Sequence, residues 1–129
     1  MSTASSTPPE DIAQASGSGK RWFQLYWPQA KDNDVTISML SRAKKAGFMV
    51  LVVTLDLWQL SWRPMDLDNA YVPFYLGIGD AIGHTDPVWL EKWKRESGNG
   101  SVQEDLTAAS LAWENVVCSG PSKHFFALS

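Results

Sequence analysis

Two short apolar runs dominate the hydrophobic pattern. Trp22-Phe23-Gln24-Leu25-Tyr26 and Met49 to Leu55 each have strand length, and each ends in side chains able to hydrogen-bond. Between them Val35, Met39 and Ala43, with Leu40 and Ala46, recur at helical spacing. The pattern predicts strands over 22–26 and 49–55 and a helix over 34–46. Asp32 or Asp34 is the expected cap, Gly47 closes the helix, and Arg42, Lys44 and Lys45 complement its dipole. The second strand is apolar on both faces, which is the pattern of a buried parallel strand. Strand starts lie 27 residues apart, close to the roughly 30 of one β-α-β unit. The fold class is α/β, and the polar residues fall at the carboxyl ends of its strands, where ligands bind in such folds.

The flanks are less regular. A short helix is expected over 7–16, capped by Thr7, with Pro8 and Pro9 in the first turn, Glu10 and Asp11 near its positive end, and Gly17-Ser18-Gly19 as its stop. From 57 to 100, Pro64, Pro73, Pro87, Gly77, Gly79 and Gly83 interrupt any long period. That stretch reads as an extended excursion from the second strand, with one helical turn over 90–95. Ser101-Val102-Gln103-Glu104 has the form of a capping box. After it Leu106, Ala109, Ser110, Trp113 and Val117 share a helical face. Residues 118–129 show no clear pattern, and the chain has no internal repeat.

Composition narrows the function classes. The 129 residues are 44% hydrophobic and 19% charged, with a formal net charge of -3; disorder and a basic nucleic-acid face are both disfavoured. Cys118 is the single cysteine, so no internal disulfide forms, and His84 and His124 share no ligand spacing; no metal site is expected. No apolar run approaches the ~20 residues of a membrane helix, and the first residues lack a signal-peptide core. A cytoplasmic location without membrane or nucleic-acid partners is the expectation.

Gln24 and Tyr26 alternate with Phe23 and Leu25 and so share one side of their strand; Thr54 and Asp56 do the same on the next. A carboxamide, a phenol and a hydroxyl on neighbouring strands can grip a planar heteroaromatic ring and a small polar substrate. Spacing alone also fits Tyr26 packed in the core and Gln24 bonded to backbone. Arg63 suits a carboxylate or a surface ion pair. Ser2, Ser5 and Ser6 can bind a phosphate or flavin edge, or belong to a loose terminus. Seven tryptophans, at 22, 27, 58, 62, 89, 93 and 113, raise the alternative of an aromatic ligand-binding module; their scatter over strand, loop and helix favours packing.

Arg21-Trp22-Phe23-Gln24-Leu25-Tyr26, Ala43-Lys44-Lys45-Ala46-Gly47-Phe48 and Leu51-Val52-Val53-Thr54-Leu55-Asp56 together resemble the FMN-dependent α-hydroxy-acid dehydrogenase/oxidase family of the glycolate and lactate oxidases. Ser61-Trp62-Arg63-Pro64-Met65-Asp66-Leu67-Asp68 with Pro73-Phe74 is similar to its lactate 2-monooxygenase-like branch. The resemblance covers residues 2–117; 118–129 is an unmatched tail, and the whole of 1–129 reads as part of one such domain. It implies a partial (β/α)₈ TIM barrel with parallel strands, incomplete at both ends, and FMN as cofactor. By the same resemblance Ser2, Gln24, Tyr26 and Thr54 contact the flavin, while Tyr26 and Arg63 contact the substrate. Leu57 stands where the family commonly has threonine and Ser61 where glycine is common, which affects the pose of Arg63.

The implied activity is an oxidoreductase converting L-2-hydroxy acids, lactate-like, to 2-oxo acids. In the family the histidine base, a flavin-facing lysine and a second substrate arginine lie beyond the matched segment. A first flavin loop and a substrate tyrosine lie before it. The expectation is therefore a fragment without its catalytic base, inactive by itself, whose full-length relatives are homo-oligomers. The alternative is a non-catalytic truncated product.

Overall fold

The computed structural model describes residues 1–55, 64–69, 73–98 and 100–117. Its centre is the expected unit. Strand β1 (Trp22–Tyr26) pairs in parallel with β2 (Val50–Thr54), in the register Trp22–Val50 through Tyr26–Thr54. Helix α2 (Asn33–Lys45), preceded by a 3₁₀ turn at Ala30–Asp32, makes the crossover. Alternation on β1 sends Phe23 and Leu25 into the core, where Val35, Met39 and Ala43 of α2 are also buried. Phe48 closes this layer with its ring edge-on to Phe23, 5.9 Å between centroids.

Several local expectations change. Helix α1 spans Pro9–Ser16 with Pro8 at its N-cap, so Thr7 does not cap it. The fixed φ of Pro8 and Pro9 suits the entry to a helix without a side-chain cap, and the Thr7 amide instead donates to Ser5 Oγ at 3.2 Å. Gly17 ends the helix at φ 54°, in the left-handed region open to glycine. The Arg21 guanidinium then donates to the carbonyls of Ala13 and Gly17 (3.3 and 2.7 Å), covering the helix end. At α2, Asp32 holds the cap position, but its carboxylate makes no cap bond. It is buried and ion-paired to Lys92, whose pKa that hydrogen bond raises.

Strand β2 is parallel as expected but not buried. Val50, Leu51, Val52 and Val53 are between 37% and 44% exposed. The reason is its position: β1 lies on one side, and the described residues place no strand on its other edge. The chain before β1 supplies something on the opposite side. The Met1 amino group donates to the Trp22 carbonyl at 2.6 Å, and the Gln24 amide donates to the Met1 carbonyl at 2.9 Å. Residues 1–3 therefore run along the free edge of β1.

The stretch expected as an extended excursion holds helices: α3 (Pro64–Asp68), a 3₁₀ turn at Pro73–Leu76, α4 (Ala81–His84) and α5 (Pro87–Glu96). Asp86 starts α5, its Oδ1 accepting from the amides of Val88 and Trp89 at 3.0 and 3.1 Å, with Pro87 in the first turn. The 101–104 box forms both reciprocal bonds, Ser101 N to Glu104 and Glu104 N to Ser101 Oγ. It nonetheless closes a turn ahead of the helix. Helix α6 (Leu106–Val117) is started by Asp105, which accepts from the Ala108 amide.

Arg42, expected to act on the dipole of α2, is the junction of the helical layer. Its guanidinium grips both Glu10 carboxylate oxygens at 2.9 Å. It also donates to Thr85 Oγ1 (2.8 Å), to the Ile82 carbonyl (3.0 Å) and to Asp86 (3.3 Å). Burial works against this cation, but the pairing with Glu10 and Asp86 outweighs it and holds the Arg42 pKa up; the Arg42 hydrogen bonds hold Glu10 down. Beneath it lies an aromatic core. Trp89 stacks on Trp93 (6.1 Å, 9°) and meets the buried Trp113 edge-on (5.6 Å, 81°).

Gly83 on α4 sits against Trp113 so closely that an added Cβ would overlap the indole. We expect Gly83→Ala to cost about 3 kcal/mol or more, at the upper end of overpacking penalties. Urea unfolding measures it, and a loss under about 0.5 kcal/mol, the range of ordinary surface changes, would refute the packing.

Asp80 is wholly buried, and neither carboxylate oxygen has a hydrogen-bond partner. Desolvation pushes its pKa up to about 6; Ser110 nearby softens the effect without bonding to it, and Glu114 adds to it. A raised carboxyl pKa stabilises the fold below the unfolded value and loses that contribution as pH climbs through the folded one. Stability should therefore fall between about pH 4 and pH 6 by up to about 3 kcal/mol. Asp80→Asn should flatten that fall in denaturation curves taken across the range; an unchanged slope would count against it.

Candidate functional site

The outward face of the strand pair carries the candidate chemistry. Trp22, Gln24 and Tyr26 alternate onto the side of β1 opposite Phe23 and Leu25, and Val50, Val52 and Thr54 stand beside them in register. The Gln24 carboxamide reaches one step along the sheet and donates from Nε2 to Thr54 Oγ1 at 2.9 Å. Tyr26 lies directly beside Thr54 in the pairing and is half-buried. The structure thus brings Gln24, Tyr26 and Thr54 to one end of one face. Gln24 bonds a side-chain hydroxyl rather than backbone, and Tyr26 is outside the core.

Below them the strand is held from its free edge. Thr3 is 1% exposed; its Oγ1 donates to the Gln24 carbonyl at 2.6 Å and accepts from the Tyr26 amide at 3.2 Å. Ser2, beside it, is exposed, and its Oγ accepts from the Ala4 amide at 3.2 Å, which leaves its own proton free to donate. Ser5 and Ser6 are engaged within the chain: Ser5 Oγ donates to the Thr7 carbonyl, and Ser6 Oγ accepts from the Gly79 amide. The 1–6 segment is not loose. It joins β1 to residues 79–81, with the Ala81 amide donating to the Ser5 carbonyl.

Arg63, Asp56, Leu57 and Ser61 lie outside the described residues, as do Cys118 and His124. His84 is described and stands elsewhere. Its ring leans on Trp89, 5.5 Å between centroids, its Nε2 is buried without a partner, and burial lowers its pKa. It packs within the helical layer and makes no hydrogen bond to Gln24, Tyr26 or Thr54. Trp89, Trp93 and Trp113 form core rather than an exposed platform; Trp22 and Trp27 are exposed, and Trp58 and Trp62 lie outside the described residues. Among the described residues, no group of three or more His, Cys, Asp or Glu is arranged to hold a metal, and no helix is long and apolar enough to cross a membrane.

A flat heteroaromatic ring is one ligand class whose chemistry suits this face. Val50 and Val52 expose apolar surface beside a carboxamide and a hydroxyl already bonded to each other on that face. A ring carrying alternating donors and acceptors along its edge can exchange hydrogen bonds with Gln24 and Thr54 while its face covers the valines.

Comparison with known proteins identifies the family. A family model described as FMN-dependent dehydrogenase matches residues 1–118. An FMN-dependent alpha-hydroxy acid dehydrogenase of Penicillium citrinum is 50% identical over 113 residues, covering 88% of this chain and 27% of that protein. One of Schizosaccharomyces pombe is 48% identical over 124 residues, covering 95% and 30%. An L-lactate oxidase of Lysinibacillus sphaericus is 36% identical over 119 residues, covering 90% and 30%. The chain therefore spans under a third of the length of these curated relatives.

The Gln24–Thr54 bond is open to test without any ligand. Thr54→Val should cost about 1 kcal/mol, the net worth of one hydrogen bond, whereas Thr54→Ser should retain that bond. Urea unfolding of the two variants compares them, and a Val variant as stable as the Ser variant would show that the bond contributes nothing.

Proposed function

The chain belongs to the FMN-dependent dehydrogenase family, and on that premise we propose that it forms the flavin-ring wall of an enzyme oxidising L-2-hydroxy acids, lactate-like, to 2-oxo acids. The observation that carries this reading is the Gln24–Thr54 pair, with Tyr26 beside it on the open face of a parallel sheet. FMN, when bound, takes up the two electrons of the oxidation. Gln24 and Thr54 would hold the ring edge, Ser2 a further polar edge of it, and Tyr26 would stand between ring and substrate. Arg63 is the proposed partner of the substrate carboxylate; the resemblance supports it, together with the fork geometry that makes arginine suited to that group. The β-α-β unit is read as part of a (β/α)₈ barrel, with 2–117 as its portion of one domain and with homo-oligomers as the assembly. The lactate oxidase relative supports a small hydroxy acid, and the sequence of residues 61–68 a lactate 2-monooxygenase-like branch.

By itself the chain is proposed to be catalytically silent. Abstraction of a proton from the hydroxy acid needs a base beside the ring, and the described histidine, His84, packs against Trp89 in the helical layer instead of joining Gln24, Tyr26 and Thr54. The exposed, apolar β2 edge would also leave the flavin wall unsupported on that side.

The test is a titration of the purified chain with FMN, followed by L-lactate under anaerobic conditions. We expect weak quenching of flavin fluorescence, weaker still in Gln24→Ala, and a flavin spectrum that stays oxidised after lactate. Quenching indifferent to Gln24→Ala would remove Gln24 from the flavin wall. Stoichiometric FMN with substrate-driven bleaching would instead show a complete site with an unidentified base.

A further inference from the structure

We propose that Thr3 is a positioning residue for the candidate site: its buried hydroxyl takes the place of a peptide unit in the sheet and fixes the backbone that carries Gln24 and Tyr26. In a parallel ladder, alternate residues of one strand donate and accept on either side of a partner residue. Met1 follows it, donating to the Trp22 carbonyl and accepting from the Gln24 amide. Continued by two residues, the pattern would have the Thr3 amide donate to the Gln24 carbonyl and the Thr3 carbonyl accept from the Tyr26 amide. Both bonds are present, but Thr3 Oγ1 makes them, at 2.6 and 3.2 Å.

A hydroxyl can do this because it both donates and accepts. The substitution frees the main chain to turn away after Ser2, where the Ala4 amide bonds Ser2 Oγ. The next residues can then tie down 79–81 through Ser5 and Ser6. One side chain thereby lets the segment leave the sheet without orphaning the Gln24 carbonyl or the Tyr26 amide. These two groups flank Leu25, which is fully buried, so the strand is pinned from core and edge at the place where its outer face presents Gln24 and Tyr26. Valine has nearly the shape of threonine and neither polar function, and it would leave two polar groups unpaired. Serine keeps both.

The functional half of this inference rests on the flavin reading above; the hydrogen-bonding half does not. The test uses the isotope-labelled 129-residue chain and follows amide exchange together with the side-chain amide signals of Gln24. In the wild type, Tyr26 N–H should be protected like the backbone-bonded amides of β1. Thr3→Val should lose about tenfold or more of that protection, the consequence of an unpaired amide. It should also shift the Gln24 side-chain signals and weaken FMN quenching as Gln24→Ala does. Thr3→Ser should restore all three.

Free exchange of Tyr26 in the wild type would overturn the proposal without any variant. So would a Thr3→Ser protein that behaves like Thr3→Val, or quenching by the wild type that Thr3→Val leaves intact. If Thr3→Val fails to fold, the wild-type exchange and the serine variant still decide. A wild type that protects Tyr26 but never quenches FMN would support the role of Thr3 in the strand and sink the flavin reading instead.

Discussion

The parallel pairing of β1 with β2 is the constraint on which the rest depends. Parallel strands cannot be joined by a tight turn; the chain must return to the starting end, and a helix is the usual way to do so. Helix α2 meets that need and, in crossing, covers Phe23 and Leu25 on one side of β1. The same crossing leaves the Gln24, Tyr26 and Thr54 side open. One topological requirement thus separates a core face from an open face within a five-residue strand, and alternation then decides which residue belongs to which.

Holding α2 in place is the work of charge as much as of apolar contact. Arg42 leaves the helix near its end and reaches the first turn of α1, the α4 carbonyl of Ile82 and the cap residue of α5. Asp86 serves two elements with its two oxygens: Oδ1 caps α5 and Oδ2 accepts from Ser38 and Arg42 of α2. Removing Arg42 would therefore leave the buried Asp86 carboxylate short of its cation, with the contacts to the Ile82 carbonyl and the Thr85 hydroxyl also unmade. That kind of loss costs more than the pair itself contributes. Asp80, six residues before Asp86, is buried with no cation beside it among the described residues, and that desolvation pushes its pKa up.

What was legible in the sequence was local. The strands, α2 and its apolar stripe follow from periodicities of two and 3.6, and Gln24 with Tyr26 follows from simple alternation. The convergence of Thr54 with them needs only parallel register. Helix α5 was hidden by its neighbours: Pro87 reads as a breaker until Asp86 is seen before it as a cap, which turns the same proline into a first-turn residue. Arg42 read as a dipole complement because its partners are 32 to 44 residues away. Thr3 was unreadable for the same reason, and Thr7 misled because a threonine before two prolines looks like a cap whether or not the prolines make one unnecessary. The exposure of β2 was beyond any pattern, since burial depends on what packs against a strand and not on its own residues.

That exposure ties stability to function. Val50, Val52 and the Gln24–Thr54 pair lie on a surface that a monomeric fold has reason to cover, because apolar area in water is unfavourable. A flat ring settling there would bury the valines and satisfy the paired polar groups together, so binding and completion of the sheet face would draw on the same area. Such a surface needs a backbone that does not yield when it is empty. Core packing under Phe23 and Leu25 supplies rigidity from one side, and the Thr3 hydroxyl supplies it from the edge, which leaves the outer side chains as the part free to respond to a ligand.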